Sequence, residues 1–312
     1  MTIENLISTP NYKEKFVLQK IICYFLDYTK EEMWINASQE LSPEDEKRIL
    51  ETYHDVADNN KPLEYALGFV EFFKRKFHVD VNTLIPRPET EYMITAVTQD
   101  IDAIREKNWE TGEIAICKLD DTTIWNEQSC HILMDIGTWC GVLGISVLLQ
   151  NPCFFKRAIF SDISEKALAV AQQNYELQIK DHDFPVEFIK SDLLSFYESP
   201  GFKKWNCNIV LVANLPYIPE KIFDENAADN VKKREPKMAF VGGDDWLIYY
   251  RIMFDQILAY GIWVTADLRM FLEMMTWQVD ILRQEYKEHF VFEEVKTFHF
   301  NIRIVKTTLV TK

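Results

Sequence analysis

The sequence predicts an α/β fold, a mostly parallel sheet wrapped by helices, preceded by a small helical region. Three observations carry this. From residue 131 onward, short apolar runs alternate with helical-period segments, the pattern of strands joined by crossover helices. A continuous apolar run around Ile132, Leu133, Met134 and Ile136 enters a glycine-bearing turn and then a helix, as a buried parallel strand does. Residues 1–60 instead read as helices.

In chain order, Phe16, Val17, Lys20, Ile21 and residues 23–25 give a largely apolar stripe at helical spacing. Ser42 offers an N-cap, Pro43 suits the first helical position, and acids follow. That helix stops near the polar run 58–62. Residues 70–81 turn to a strand pattern around Lys74, Arg75 and Lys76, which predicts a hairpin. Residues 101–130, polar and without clear period, read as a variable surface loop. Strands follow at 131–136, 157–160, 186–189 and 207–213, with helices at 143–149 and 165–177, the latter capped by Ser164. A strand near 268–274 and a strand-rich tail at 290–305 complete the pattern. The expected division is a helical unit at 1–68, a hairpin linker at 69–90 and the sheet domain at 91–312.

Composition narrows the function. The 312 residues suffice for one large core and a smaller unit. A formal net charge of −15 argues against a direct nucleic-acid partner and favours a protein or small-molecule substrate. Apolar runs are too short for a bilayer span, and the N-terminus lacks the basic-then-apolar order of a secretory signal. The six cysteines form no CxxC pair and read as reduced thiols of a cytoplasmic protein. No metal site is expected, because the histidines do not cluster with them.

Three constellations carry chemistry. Gly137, Thr138, Trp139, Cys140 and Gly141 form the turn after the first buried strand, where backbone N–H groups approach a ligand at a helix N-terminus. Asp162 ends the next strand, placed to accept from ribose hydroxyls or, equally, to cap the following helix. Asp192 closes the third strand within reach of an adenine amino group. The third constellation is Asn214-Leu215-Pro216-Tyr217, after the fourth strand. An amide nitrogen is a poor nucleophile because its lone pair is delocalised. Acceptance of its two hydrogens, by the Asn214 side-chain oxygen and the Leu215 carbonyl, would aim that lone pair at an electrophilic methyl. Tyr217 could pack on the planar substrate group.

Residues 214–217 resemble the (D/N)PPY motif of methyltransferases acting on planar nitrogens. Leu84-Ile85-Pro86-Arg87-Pro88-Glu89-Thr90-Glu91 resembles the signature preceding the catalytic domain of the release factor glutamine methyltransferases, the HemK/PrmC family. Glu235-Pro236-Lys237-Met238-Ala239-Phe240, with Gly242, Gly243, Asp244 and Asp245, resembles the same family's EPxxAL…GGxDG segment. The resemblance runs from about Tyr65 to Val305. It implies a Rossmann-like, class I S-adenosylmethionine-dependent methyltransferase domain with a seven-stranded mixed sheet. It also implies a small N-terminal helical domain, joined by the hairpin, that docks the substrate. The implied reaction moves a methyl from S-adenosylmethionine to the N5 amide nitrogen of a glutamine in the GGQ loop of a peptide chain release factor, leaving S-adenosylhomocysteine. By position, Asn214, Leu215, Pro216 and Tyr217 would hold the glutamine amide. Asp135, Gly137, Thr138, Trp139, Gly141, Asp162, Ile163, Asp192, Leu193 and Asn214 would bind the cofactor. Arg87, Pro88, Glu89 and Thr90 would lie near the same cleft, although Glu89 and Glu91 read equally as acids favoured by a helix start.

The departures are specific. Leu215 replaces the family's first proline, and Asn-Leu-Pro-Tyr also suits adenine-N6 methylation of nucleic acid; the Arg87–Glu91 signature and the acidic charge favour glutamine. The same signature favours the release-factor branch over ribosomal-protein glutamine methylation. Trp139, Trp246 and Trp277 stand where the family has glycine. Glycine, at nine residues, is under half the usual share of roughly 7%, and tryptophan, at eight, is abundant. One cause accounts for both: a gene whose UGA codons mean glycine, written here as tryptophan. In such a lineage the substrate should be the factor for UAA and UAG.

Overall fold

The computed structural model describes residues 1–9, 12, 14–111, 130–180, 184–202, 207–243, 246–262, 267–297 and 302–310. Among the described residues five helices open the chain: α1 (Ile3–Ser8), α2 (Lys15–Leu26), α3 (Lys30–Ile35), α4 (Pro43–Ala57) and α5 (Leu63–Leu67). Local chemistry sets their starts. Ser42 Oγ accepts from the Asp45 N–H at 3.0 Å, Pro43 occupies the first turn, and Glu44, Asp45 and Glu46 complement the helix dipole. Thr29 and Glu32 form a reciprocal capping box at α3. Leu18, Ile21, Ile22, Met33, Ile49 and Tyr53 close a core among these helices. Strands β1 (Phe69–Phe72) and β2 (Arg75–His78) then pair as an antiparallel hairpin. Its two turn residues, Phe73 and Lys74, both take positive φ, the backbone a two-residue hairpin turn requires.

Helix α6 runs Glu91–Thr111. The expected loop therefore begins later than residue 101: Ile101 is buried and continues the stripe of Met93, Ile94 and Val97 against the sheet. Its remainder, 112–129, lies outside the described residues. The seven-stranded sheet comprises β3 (His131–Ile136), β4 (Arg157–Asp162), β5 (Val186–Lys190), β6 (Asn208–Ala213), β7 (Leu268–Met275), β8 (Phe290–Thr297) and β9 (Ile302–Leu309), in the order β5-β4-β3-β6-β7-β9-β8. The first five positions are parallel, and β9 enters antiparallel between β7 and β8. Among the described residues six helices besides α6 cover or edge it: α7 (Val142–Gln150), α8 (Glu165–Gln178), α9 (Glu220–Asn226), α10 (Asp229–Arg234), α11 (Ile248–Ala259) and α12 (Thr276–Glu285). Both faces are dry. Leu133, Phe160 and Val210 face α6, α7 and α8, while Met134, Leu211 and Met270 share a second core with Tyr250, Phe254 and Leu282.

The reading of all six cysteines as reduced is corrected. Cys130 and Cys207 form a disulfide with Cα atoms 4.8 Å apart, and Cys153 is disulfide-bonded as well, whereas Cys23 and Cys140 are free. The reason is register: His131 lies opposite Asn208 in the β3–β6 pair, and the Asn208 N–H donates to the Cys130 carbonyl at 2.7 Å. Residues that enter neighbouring parallel strands become neighbours themselves, which a sequence separation of 77 conceals. Cysteine usage thus gives no argument for a reducing compartment. Among the described residues no helix is long and apolar enough to cross a membrane, and no group of three or more His, Cys, Asp or Glu could hold a metal.

Gly144 fixes the approach of α7 to the sheet. A Cβ there would meet Phe160 at 2.6 Å and the Asp135 carboxylate at 2.7 Å. Gly144→Ala is expected to destabilise the protein by about 1–3 kcal/mol, read by urea unfolding; an unchanged midpoint would contradict this packing.

Candidate active site

The sheet reverses its winding direction at β3, with β4 on one side and β6 on the other, and the loops at their C-terminal ends form the crevice where such folds bind ligands. Asp135, on β3, is buried; its Oδ2 accepts from the Thr138 hydroxyl at 2.7 Å and the Gly144 N–H at 2.9 Å. Burial pushes its pKa up to about 7, against those two hydrogen bonds. The Gly137 and Thr138 N–H groups donate to the Ser161 carbonyl at 2.8 and 3.0 Å, tying the turn to β4. Asp162 is buried as well, and burial raises its pKa. Its Oδ1 accepts from the Ser164 N–H at 2.8 Å and its Oδ2 from the Trp139 N–H at 3.0 Å. Capping of α8 falls to Ser164, which accepts from the Ala167 N–H. Asp192 is exposed beyond β5, while neighbouring Leu193 is buried with a positive φ and Ile163 stands half exposed.

At the end of β6, Asn214 Nδ2 donates to Thr90 Oγ1 at 3.1 Å, and Thr90 in turn donates to Glu273 Oε2 at 2.8 Å. The Tyr217 hydroxyl points at Glu273 Oε1, 3.4 Å away. Leu215 is buried under Gly137. The 235–243 segment supports this turn from the far side. Ile218 N–H donates to the Phe240 carbonyl and Gly242 N–H to the Ile218 carbonyl, at 2.7 and 2.9 Å. A Cβ on Gly242 would meet the Pro216 carbonyl at 2.4 Å, so only glycine lets the two backbones approach. Asp244 and Asp245 lie outside the described residues. Glu235, also buried, binds Arg87 at 2.8 Å and the Ile85 N–H at 3.2 Å, fastening the 84–91 segment above the turn. Glu91 lies in the first turn of α6 and accepts from the Phe73 N–H of the hairpin at 2.8 Å. The three strings that resemble one family are therefore joined in space.

No family model matches the chain. Curated proteins do. Release factor glutamine methyltransferase of Bacillus cereus is 30% identical over 237 residues, covering 76% of this chain and 72% of that protein. The chain belongs to the release factor glutamine methyltransferase family. The enzyme of the same name from Lactococcus lactis is 28% identical over 271 residues, covering 86% of this chain and 84% of its own. Among solved structures, the hMettl16 catalytic domain in complex with MAT2A 3'UTR hairpin 6 aligns with a TM-score of 0.51 at 10% identity, over 87% of this chain and 83% of that one. That likeness shows the fold: a class I methyltransferase sheet, as expected.

Members of this family use S-adenosylmethionine, and two features of the site fit it. Asp162 is a buried carboxylate at a strand end beside the 137–141 turn. The turn's Gly137, Thr138, Trp139 and Gly141 N–H groups, expected to approach a ligand, are engaged by the Ser161 carbonyl, Asp162 and the Thr138 carbonyl instead. Asn214 shares one cavity with Asp135, Gly137 and Thr138. The space does not fit. The cavity measures about 30 Å³, against roughly 300 Å³ or more for sites that enclose such a ligand. Trp139 lines it, and its indole packs on Leu84, Ala167, Ala239 and Phe240, only 9% exposed. The larger cleft, about 700 Å³, lies instead between α2, the hairpin and residues 85–91.

Glu273 is the residue that the sequence reading missed. It sits inside β7, 2% exposed. Burial drives its pKa up to about 7, opposed by the Thr90, Tyr217 and Asn214 hydrogen bonds and reinforced by the charge of Glu89. The available signal was a lone acid within a strand, 268–275, whose one other charged residue is Arg269 near its start.

Asp135 has a folded pKa of about 7, above the ordinary carboxylate value of about 3.9. Folding therefore takes up a proton between these limits. The stability this group contributes is full below about pH 4 and is lost as pH rises through about 7. Relative to Asp135→Asn, the unaltered protein should lose thermal midpoint across that window; a pH-independent difference would contradict it.

Proposed function

We propose that this chain transfers a methyl group to the side-chain amide nitrogen of the glutamine in the Gly-Gly-Gln loop of a peptide chain release factor, with S-adenosylmethionine as donor. The observation that supports this most is the orientation of Asn214. Its Nδ2 is engaged by Thr90, so its Oδ1 is the end left for a ligand. A carboxamide seated against Oδ1 and the Leu215 carbonyl has both hydrogens accepted and its nitrogen lone pair turned outward. Bound S-adenosylmethionine supplies an electrophilic methyl on a sulfonium. The protein's part is alignment and exclusion of water. Tyr217, held by Glu273, forms a wall against which the planar amide packs, and Pro216 keeps the turn stiff.

The remaining assignments belong to the same reading. Asp135, Gly137, Thr138, Gly141, Asp162, Ile163, Asp192 and Leu193 would surround the donor, with Trp139 the side chain that narrows its space. The helices of 1–68, linked through the hairpin at 69–90 to the methyltransferase domain at 91–312, dock the release factor. The cleft of about 700 Å³ between α2 and the Arg87–Glu91 segment suits that task, with Phe16 and Tyr24 exposed on its rim.

The test uses labelled S-adenosylmethionine and the Trp139→Gly protein, which removes the indole that narrows the cofactor space, with a purified release factor and the same factor carrying alanine at the loop glutamine. Label should enter only the former, and Asn214→Ala should slow it by about a hundredfold. Label persisting after loss of the glutamine, or entering RNA or DNA instead, would overturn the assignment.

A further inference from the structure

We propose that Glu273 and Thr90 are positioning residues that set the polarity of Asn214. This rests on the reading of Asn214 as the amide acceptor. Inside β7, an ionised Glu273 has only acceptors to offer. Thr90 has one hydroxyl proton and gives it to Glu273 at 2.8 Å. The Thr90 oxygen is then restricted to accepting, and the Asn214 NH₂ supplies the proton at 3.1 Å. Each step removes one choice from the next, so the carbonyl end of Asn214 must face the cleft. Without this relay Asn214 could turn its NH₂ outward, present donors to an NH₂ substrate and repel it.

Ionisation of Glu273 controls the direction. Its titratable neighbours are Glu89, beside Thr90, Tyr217 from the loop after β6, and Tyr250 from α11, whose hydroxyl donates to the Glu273 carbonyl. Both tyrosines have pKa values raised by burial and remain donors. A protonated Glu273 can donate to Thr90, and the relay loses its fixed direction. Methyl transfer should therefore fall with pH below about 7.

Two measurements test this. In the methylation assay, run in the Trp139→Gly protein throughout, Glu273→Gln and Thr90→Val should lower kcat on the order of tenfold or more. Thr90→Ser should retain it, and KM for the release factor should stay within about twofold. In ¹⁵N NMR, one Asn214 side-chain amide proton should exchange slowly in the unaltered protein and in Thr90→Ser, and fast in Thr90→Val. The NMR arm reads the orientation whether or not methyl transfer is detected. Fast exchange in the unaltered protein, or Thr90→Ser as damaging as Thr90→Val, would overturn the proposal.

A separate observation concerns positions 139 and 246. Trp139 and Trp246 have φ values of 52° and 66°, in the left-handed region that bulky residues avoid. Phe73, Lys74, Cys153 and Leu193 share that backbone, so φ alone does not decide. Trp139 differs in that its side chain lines and narrows the cavity between Asp135 and Asn214. Trp246 turns its ring onto Trp277, 5.1 Å away, whose helical backbone needs no glycine. We infer that positions 139 and 246 carry glycine in the functional protein, through UGA read as glycine. Peptide mass spectrometry of protein from its own source should find the mass of glycine at both. Calorimetry should detect S-adenosylhomocysteine binding by Trp139→Gly and none by the tryptophan form. Tryptophan at 139 in the source protein, or equal binding by the two forms, would overturn this.

Discussion

The parallel pairing of β3 with both β4 and β6 is the constraint on which the site depends. Ile136 lies opposite Ser161 on one side and Ala213 on the other. That register brings the residues following three distant strand segments to one edge of the sheet. Asp135, Asp162 and Asn214 converge there without any local sequence signal that links them. The glycine at 144 sets how closely α7 may sit above, because Asp135 fills the space a side chain would need. Sheet register and helix approach together make the crevice.

Buried carboxylates do the fastening. Asp135 holds the turn to α7, Glu235 holds the 84–91 segment to the active turn, and Glu273 holds Thr90 and Tyr217 around Asn214. Each carries a burial cost met by two or more directed hydrogen bonds. The pattern also gives the family's separate motifs a physical connection. The arginine of the 84–91 string finds its partner in Glu235, 148 residues further along.

Much of this was legible in the sequence. The apolar run before Gly137, the acids at strand ends and the 214–217 string name the sheet, its switch point and the amide-binding turn. Ser42 and Ser164 cap helices as their positions predict. What stayed hidden depends on contacts between distant segments. Glu273 reads as an isolated acid until β7 sets it beside Thr90. The Cys130–Cys207 disulfide follows from strand register and not from cysteine spacing. The continuation of α6 beyond residue 101 was masked by a polar outer face, since Ile101 and Ile104 pack on the core while residues 102, 103 and 105–107 are exposed.

The central claim is that the turn at Asn214 and Leu215 grips a carboxamide by its two hydrogens. The most direct measurement is a crystal structure with a Gly-Gly-Gln peptide and S-adenosylhomocysteine bound. It should place the glutamine nitrogen at hydrogen-bond distance, about 2.9 Å, from both Asn214 Oδ1 and the Leu215 carbonyl. A glutamine amide seated elsewhere, or an Asn214 whose Oδ1 turns back toward Thr90, would contradict it.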